Sequence, residues 1–290
     1  MSKPVKTHRV TGLNQLLDEH GYRGLIVDLW GVMHDGKTLF PEAVEALRRA
    51  RQRGVQVQFL SNAPRRSDSI AELLAGMGMA AKDYDGIVSS GEESWQAMKD
   101  RSDPFYAALG RRCFHLGAGA KDANMREGLD YDFQDEIAGA QWILNTGPAA
   151  SKDLAEWLPL LKTALSAGLP MVCANPDRVV MRGDSRELCA GALAEWFEDQ
   201  GGTVRWHGKP YGSVYRSARA AMGLARHNVL AIGDSFTTDV AGARGAGIDV
   251  LLVNTGIHQS DLDDDLMAGV DRMSVEKGVR PSFVADRLQF

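Results

Sequence analysis

The stretch Gly24-Leu25-Ile26-Val27-Asp28-Leu29-Trp30-Gly31-Val32 decides how the chain is read. Leu25 to Val27 is apolar without polar alternation, the pattern of a parallel strand covered on both faces. Asp28 stands where that strand runs out, and a glycine turn follows. In open α/β sheets, ligands bind at the carboxyl ends of the strands. A carboxylate there can be a nucleophile, a metal ligand or both. Taken alone, the same acid reads better as a turn residue or a helix cap, so the surrounding chain has to decide.

Working outward, Pro41 opens a helix at its first-turn position. Ala43, Val44, Leu47 and Ala50 form its inward face, and Gly54 ends it. Val55 to Leu60 is a second apolar strand, closing in the polar turn Ser61-Asn62-Ala63-Pro64. A helix over about 67–77, a short strand Ile87 to Ser89 and a helix Glu92 to Lys99 follow. Strands alternating with helices give βαβ units and a parallel sheet. The pattern breaks at Arg101-Ser102-Asp103-Pro104. The next segment has strands of its own at Cys113–Leu116, Trp142–Asn145 and Met171–Ala174, with a helix over about 153–167. After Arg182-Gly183-Asp184 the first pattern resumes, with a helix Leu188–Phe197 and a short strand near Val204. A helix over 210–222, strand Val229–Ile232, a helix over 238–246 and strand Val250–Val253 complete it. The polar tail, with Asp261 to Asp265, is expected to pack loosely. The expected fold is α/β, a doubly wound, Rossmann-like parallel-sheet core with an inserted α/β domain. Residues 1–100 and 184–290 would form the core and 101–183 the insertion.

The chain has 290 residues, enough for two domains. Its apolar fraction of 44% and charged fraction of 24% are those of a globular protein. A net charge of -5 without a long basic run argues against nucleic acid or an anionic membrane as partner. Three widely spaced cysteines, Cys113, Cys173 and Cys189, make neither a disulfide frame nor a zinc site. Met1 to Val10 lacks the apolar core of a signal peptide. No apolar run nears the roughly 20 residues of a membrane span. A cytoplasmic protein is expected.

Four stretches fall at the ends of four expected strands. Asp28 with its Gly31 turn is the first. Ser61-Asn62 is the second, where a hydroxyl and backbone N–H groups suit phosphate oxygens. His207-Gly208-Lys209-Pro210 is the third, with a lysine just before a helix N-terminus, placed to neutralise an anion. Gly233-Asp234-Ser235-Phe236-Thr237-Thr238-Asp239 is the fourth. Two acids five apart at a strand end, with small polar residues between them, suit Mg²⁺. Each stretch alone also has an ordinary reading as a turn or a helix start.

Together, in this order, the four resemble the motifs of the haloacid dehalogenase superfamily of phosphotransferases. The insertion resembles the α/β cap of its class IIA branch, which holds sugar-phosphate, nucleotide and p-nitrophenyl phosphatases. Gly31-Val32-Met33-His34-Asp35-Gly36, Ala174-Asn175-Pro176-Asp177 and Asn254-Thr255-Gly256 are similar to that branch as well. The resemblance spans about residues 20–260. It implies a Mg²⁺-dependent phosphatase with a cap that closes over the site and a small phosphorylated metabolite as substrate. Asp28 would form an aspartyl-phosphate. Asp28, the Trp30 backbone carbonyl and Asp234 would hold the metal. Ser61 and the Asn62 amide would hold the phosphoryl oxygens, and Lys209 would balance their charge. Asp239 would steady the metal shell or Lys209, and Asn175 and Asp177 would line the cap's substrate face. An exposed cap edge leaves a homodimer open.

One position departs from the family. Its phosphatases usually carry Asp-x-Asp at the first motif, and the second Asp handles the leaving-group proton. Trp30 stands there, and an indole N–H does not shuttle protons near neutral pH. His34 and Asp35 are the nearest substitutes, although both read better as loop residues. Two readings follow. One is a phosphatase-like hydrolase with impaired acid–base chemistry. The other is a catalytically weak phosphate-ligand binding or regulatory protein on the same fold. A dinucleotide enzyme is disfavoured, because no glycine fingerprint follows the first strand. His115-Leu116-Gly117-Ala118-Gly119 reads as a tight turn.

Overall fold

The computed structural model describes residues 6–117, 119–149, 151, 153–182, 185–256, 262 and 265–290. Most of the acidic stretch Asp261–Asp265 and the expected boundary at 183 lie outside the described residues. In chain order the strands are β1 His8–Arg9, β2 Gly24–Val27, β3 Gln56–Ser61, β4 Gly86–Ser89, β5 Arg112–Leu116, β6 Asp132–Gln134 and β7 Trp142–Asn145. They continue with β8 Met171–Cys173, β9 Val179–Arg182, β10 Ser185–Leu188, β11 Val204–Trp206, β12 Val229–Gly233, β13 Asp249–Val253 and β14 Phe283–Ala285. The chain divides into two compact units, 1–61 with 70–88 and 209–290, and 62–69 with 89–208.

The first unit is built on a seven-stranded sheet of order β1-β14-β13-β12-β2-β3-β4. Pairing is parallel from β1 across to β3. All four residues of β2 are buried, as a strand with helices on both faces requires. Its register sets Leu25 opposite Val57 on one side and Leu230 on the other. The chain leaves β2 towards β3 on one side and reaches β12 on the other, so the strand order switches at this pair. That is where a doubly wound sheet opens a crevice at its carboxyl edge. The helix Pro41–Gln52 shows why the crossover folds as it does. Proline stands at its first turn, Ala43, Val44, Ala46, Leu47 and Ala50 are buried, and Arg49 and Arg51 lie in the last turn.

The second unit holds a five-stranded parallel sheet of order β11-β8-β7-β5-β6 and a separate hairpin, β9 with β10. Strand β7 shows its two-sided core. Ile143 packs with Leu161, Leu193 and Phe197, while Trp142 and Leu144 pack with Trp95, Met98 and Tyr106 on the other face. Alternate side chains of one strand thus feed two clusters. His115 is buried at the end of β5. It accepts from Arg126 Nε at Nδ1 (2.7 Å), and its Nε2 meets Thr146 Oγ1 (2.9 Å).

Three expectations change. The inserted unit is larger than 101–183. Trp95 and Met98 of the helix Ser90–Asp100 enter its core, and so do Leu193 and Phe197 of the helix Ala190–Asp199. The strand near Val204 does not return to the first sheet, because β11 pairs with β8. The tail does not pack loosely. Residues Leu266–Lys277 form a helix, and β14 inserts between β13 and β1 with Phe283, Val284 and Ala285 buried. A strand of three residues between turns carries too little periodicity to stand out in a polar tail.

No helix among the described residues is long and apolar enough to cross a membrane. The three cysteines are free and buried, and burial pushes the Cys173 thiol up to about 12, which keeps it inert.

Two outcomes test this packing. Phe283→Ala lowers stability by about 3–5 kcal/mol, while Val275→Ala, on an exposed helix face, changes it by less than about 0.5 kcal/mol, both read by urea unfolding. Burial and the Arg126 charge hold His115 down at about 4 in the folded chain. Its contribution to stability is present above pH 6.5, the ordinary value, and is lost as pH falls towards 4. Thermal melts over that window show a slope that His115→Gln reduces.

Candidate active site

Strand β2 delivers Asp28 to the carboxyl edge of the first sheet. The Asp28 N–H continues the ladder to Ile232 O at 2.9 Å, so the acid is fixed by the sheet itself. One Asp28 oxygen, Oδ1, lies 2.6 Å from Lys209 Nζ, and that ammonium lies 2.8 Å from Asp239 Oδ1. Lys209 and Asp239 are each only 3% exposed. Asp234 joins them. Ligand atoms of Asp28, Asp234 and Asp239 all lie within 4.8 Å of one another.

The electrostatics follow from burial. Desolvation pushes the Asp28 carboxyl well above the usual carboxylate range. Lys209 opposes that rise, and the charges of Asp239 and Asp234 add to it. Desolvation also works against the Lys209 charge, but Asp239 and Asp28 outweigh it and hold the ammonium protonated.

Close backbone approach shapes the rest. Gly31 has φ +80°, and a Cβ there would stand 2.4 Å from Asp234 Oδ2. Its carbonyl accepts from Thr255 Oγ1 at 2.5 Å, and its N–H donates to His34 O at 2.8 Å. At the other acid, a Cβ on Gly233 would meet Asp239 Cγ at 2.1 Å. Asp239 Oδ2 accepts from Ser235 N at 3.2 Å, and Ser235 Oγ caps the turn by accepting from Thr238 N at 3.3 Å. Three carboxylates, two of them wedged against glycine backbone, form an all-oxygen donor set. It fits a small hard cation such as Mg²⁺ rather than a soft metal.

The other expected residues fall as follows. Ser61 ends β3 in the first unit and is half-buried. Asn62 opens the second unit, where its side-chain amide donates to Asp177 Oδ1 at 2.7 Å. Asn175 Oδ1 accepts from Asp177 N at 3.0 Å, which closes the Asn-Pro-Asp turn on itself. Trp30 is half-buried in the glycine loop, where a Cβ on Gly36 would lie 3.4 Å from the indole nitrogen. Asp35 is exposed and accepts from the N–H groups of Lys37 and Thr38, each at 2.8 Å. Those bonds hold its carboxyl below the usual range. His34 is buried, which lowers its pKa, and it accepts from Gly36 N at 2.9 Å. Both substitutes for an acid–base thus serve the loop's own hydrogen bonding. Sequence reasoning gave no role to Thr255, which holds Gly31, or to Tyr215, whose hydroxyl reaches Asp239 O at 3.1 Å. Their only signals are a threonine after a strand and a tyrosine on a helix face, which many chains carry.

The switch point of the parallel sheet thus gathers three buried acids and a buried lysine. A profile of haloacid dehalogenase-like hydrolases matches residues 25–131, and a HAD-hydrolase-like profile matches 206–289. A crystallised hydrolase of the haloacid dehalogenase-like family from Brucella suis 1330 superposes with a TM-score of 0.81 at 32% identity. The match covers 96% of this chain and 99% of that one. The 5'-nucleotidase YutF of Bacillus subtilis is 23% identical over 251 residues, 84% of this chain and 92% of its own. The sugar-phosphatase AraL of the same bacterium is 26% identical over 249 residues, covering 80% and 83%. The chain belongs to the haloacid dehalogenase-like hydrolase family, and its homologues include phosphatases of the class IIA type.

Gly31→Ala is expected to displace Asp234 and weaken Mg²⁺ binding by at least about tenfold, read by titration calorimetry on a variant with unchanged circular dichroism.

Proposed function

We propose that the chain is a Mg²⁺-dependent phosphatase acting on a small phosphomonoester, a sugar phosphate or similar metabolite. The observation that carries this reading is the buried run Asp28–Lys209–Asp239, at 2.6 and 2.8 Å, with Asp234 beside it. In this reading an Asp28 oxygen attacks phosphorus. The bond to the leaving oxygen breaks, that oxygen takes a proton from solvent water, and an aspartyl-phosphate forms. Water then attacks that phosphorus, releasing inorganic phosphate and restoring the Asp28 carboxylate. Lys209, held charged, balances the phosphoryl oxygens, while the Ser61 hydroxyl and the Asn62 backbone N–H orient them. Asp28, Asp234 and the Trp30 carbonyl would hold Mg²⁺, which supplies charge neutralisation for transfer that is mostly positioning. Asp239 steadies Lys209 in this scheme, and Asn175 and Asp177 act through the turn they close.

Trp30 limits the rate in this reading. Its indole donates a hydrogen bond but delivers no proton, and Lys209 is locked in its charged form. A positioned acid–base is worth about 10²–10⁴ in rate. The same residue favours the second reading, a phosphate-ligand binding or regulatory protein with little turnover.

Phosphate release from p-nitrophenyl phosphate and sugar phosphates, with Mg²⁺, separates the two. In the phosphatase reading wild type turns over, Asp28→Asn is silent, and Trp30→Asp raises kcat by about 10². If wild type is as silent as Asp28→Asn while Trp30→Asp turns over, the binding reading replaces it. Silence from all three would sink both the aspartyl-phosphate chemistry and the role given to Trp30.

A further inference from the structure

Tyr215 lies on the helix Gly212–Met222, six residues after Lys209, and is 1% exposed. Burying a phenol is costly unless its hydroxyl is bonded. Here the hydroxyl donates to the backbone carbonyl of Asp239 at 3.1 Å. Burial, with Asp239 nearby, pushes the phenol well up, so it stays a donor.

In a regular α-helix each carbonyl accepts from the amide four residues on. The chain is not regular around Asp239. Phe236–Val240 is π-helical and Ala241–Gly245 is α-helical, and Val240 N reaches back five residues to Ser235 O at 3.0 Å. A side chain set into the ladder is one of the few causes of such an irregularity. The ring sits hard against the following helix, where a Cβ on Gly242 would stand 2.5 Å from Tyr215 Cε2. The turn shaped in this way carries Asp239, with Oδ1 on Lys209 at 2.8 Å and Oδ2 on Ser235 N at 3.2 Å.

From this geometry we propose that Tyr215 is a positioning residue of the site. Its hydroxyl holds residues 236–240 in the π-helical form from which the Asp239 carboxylate reaches Lys209. The effect on turnover rests on the phosphatase reading; the effect on the turn does not.

Tyr215→Phe keeps the ring and removes the hydroxyl. Crystal structures of wild type and variant, without substrate, read the turn directly. The expected result is loss of the five-residue bond from Val240 N to Ser235 O, with Asp239 Oδ1 drawn out of hydrogen-bond reach of Lys209. Kinetics with p-nitrophenyl phosphate and Mg²⁺ read the consequence. Tyr215→Phe is expected to lower kcat about tenfold with KM within about twofold, and to cost less than about twofold in an Asp239→Asn background. An unchanged turn with the Asp239–Lys209 contact intact overturns the proposal, and so does an equal loss in both backgrounds. If wild type shows no turnover, the phosphatase reading fails and the crystal structures alone decide. If Tyr215→Phe does not fold, Gly242→Ala presses on the ring while leaving the hydroxyl, and the same displacement of Asp239 is expected. Its absence overturns the proposal.

Discussion

The site rests on one buried ammonium held between two carboxylates. Lys209 gives up nearly all contact with water, which a lysine tolerates only when its charge is paired and hydrogen-bonded. Asp28 supplies that pairing from the end of β2 and Asp239 from the π-helical turn after β12. Removing one partner of such a buried group costs about 3–5 kcal/mol, so each of the three depends on the others. Three acids against one lysine, -3 + 1, leave two negative charges in the cluster. Burial is the main push on the Asp28 carboxyl, and the charges of Asp239 and Asp234 add to it. A divalent cation would offset that excess.

The sheet is what makes this arrangement rigid. Strands β2 and β12 are buried on both faces and pair in register from Val229–Gly24 to Ile232–Val27. Their ends therefore hold Asp28 and Asp234 side by side without help from flexible loops. Glycine backbone at 31 and 233 then lets the acids approach closer than any side chain would allow. The second unit has a core of its own around β7, so its fold does not draw on the first sheet for burial.

Much of this was legible in the sequence. The apolar runs ending in Asp28, Ser61 and Gly233 announced parallel strands with polar ends, because a doubly covered strand has no room for alternation. The acids and the lysine were legible by their position after those runs. The family resemblance placed Trp30 where an acid is usual. The boundaries of the insertion were less legible. Residues 204–206 are equally good strand for either sheet, and only the pairing of β11 with β8 assigns them. The helix Ala190–Asp199 likewise shows its apolar face in sequence but not which core receives it.

Local pattern alone determined the parallel α/β class, the strand ends and the residue types at them, since periodicity and turn chemistry act over a few neighbours. The tertiary structure decided which of those ends meet. Lys209 lies 181 residues from Asp28 in the chain (209 − 28), yet stands 2.6 Å from it in space. The π-helical turn at 236–240, the phenol of Tyr215 against it and the burial of β14 were likewise settled only in three dimensions. Each arises from contacts between segments far apart in sequence, and no local propensity encodes a distance of that kind.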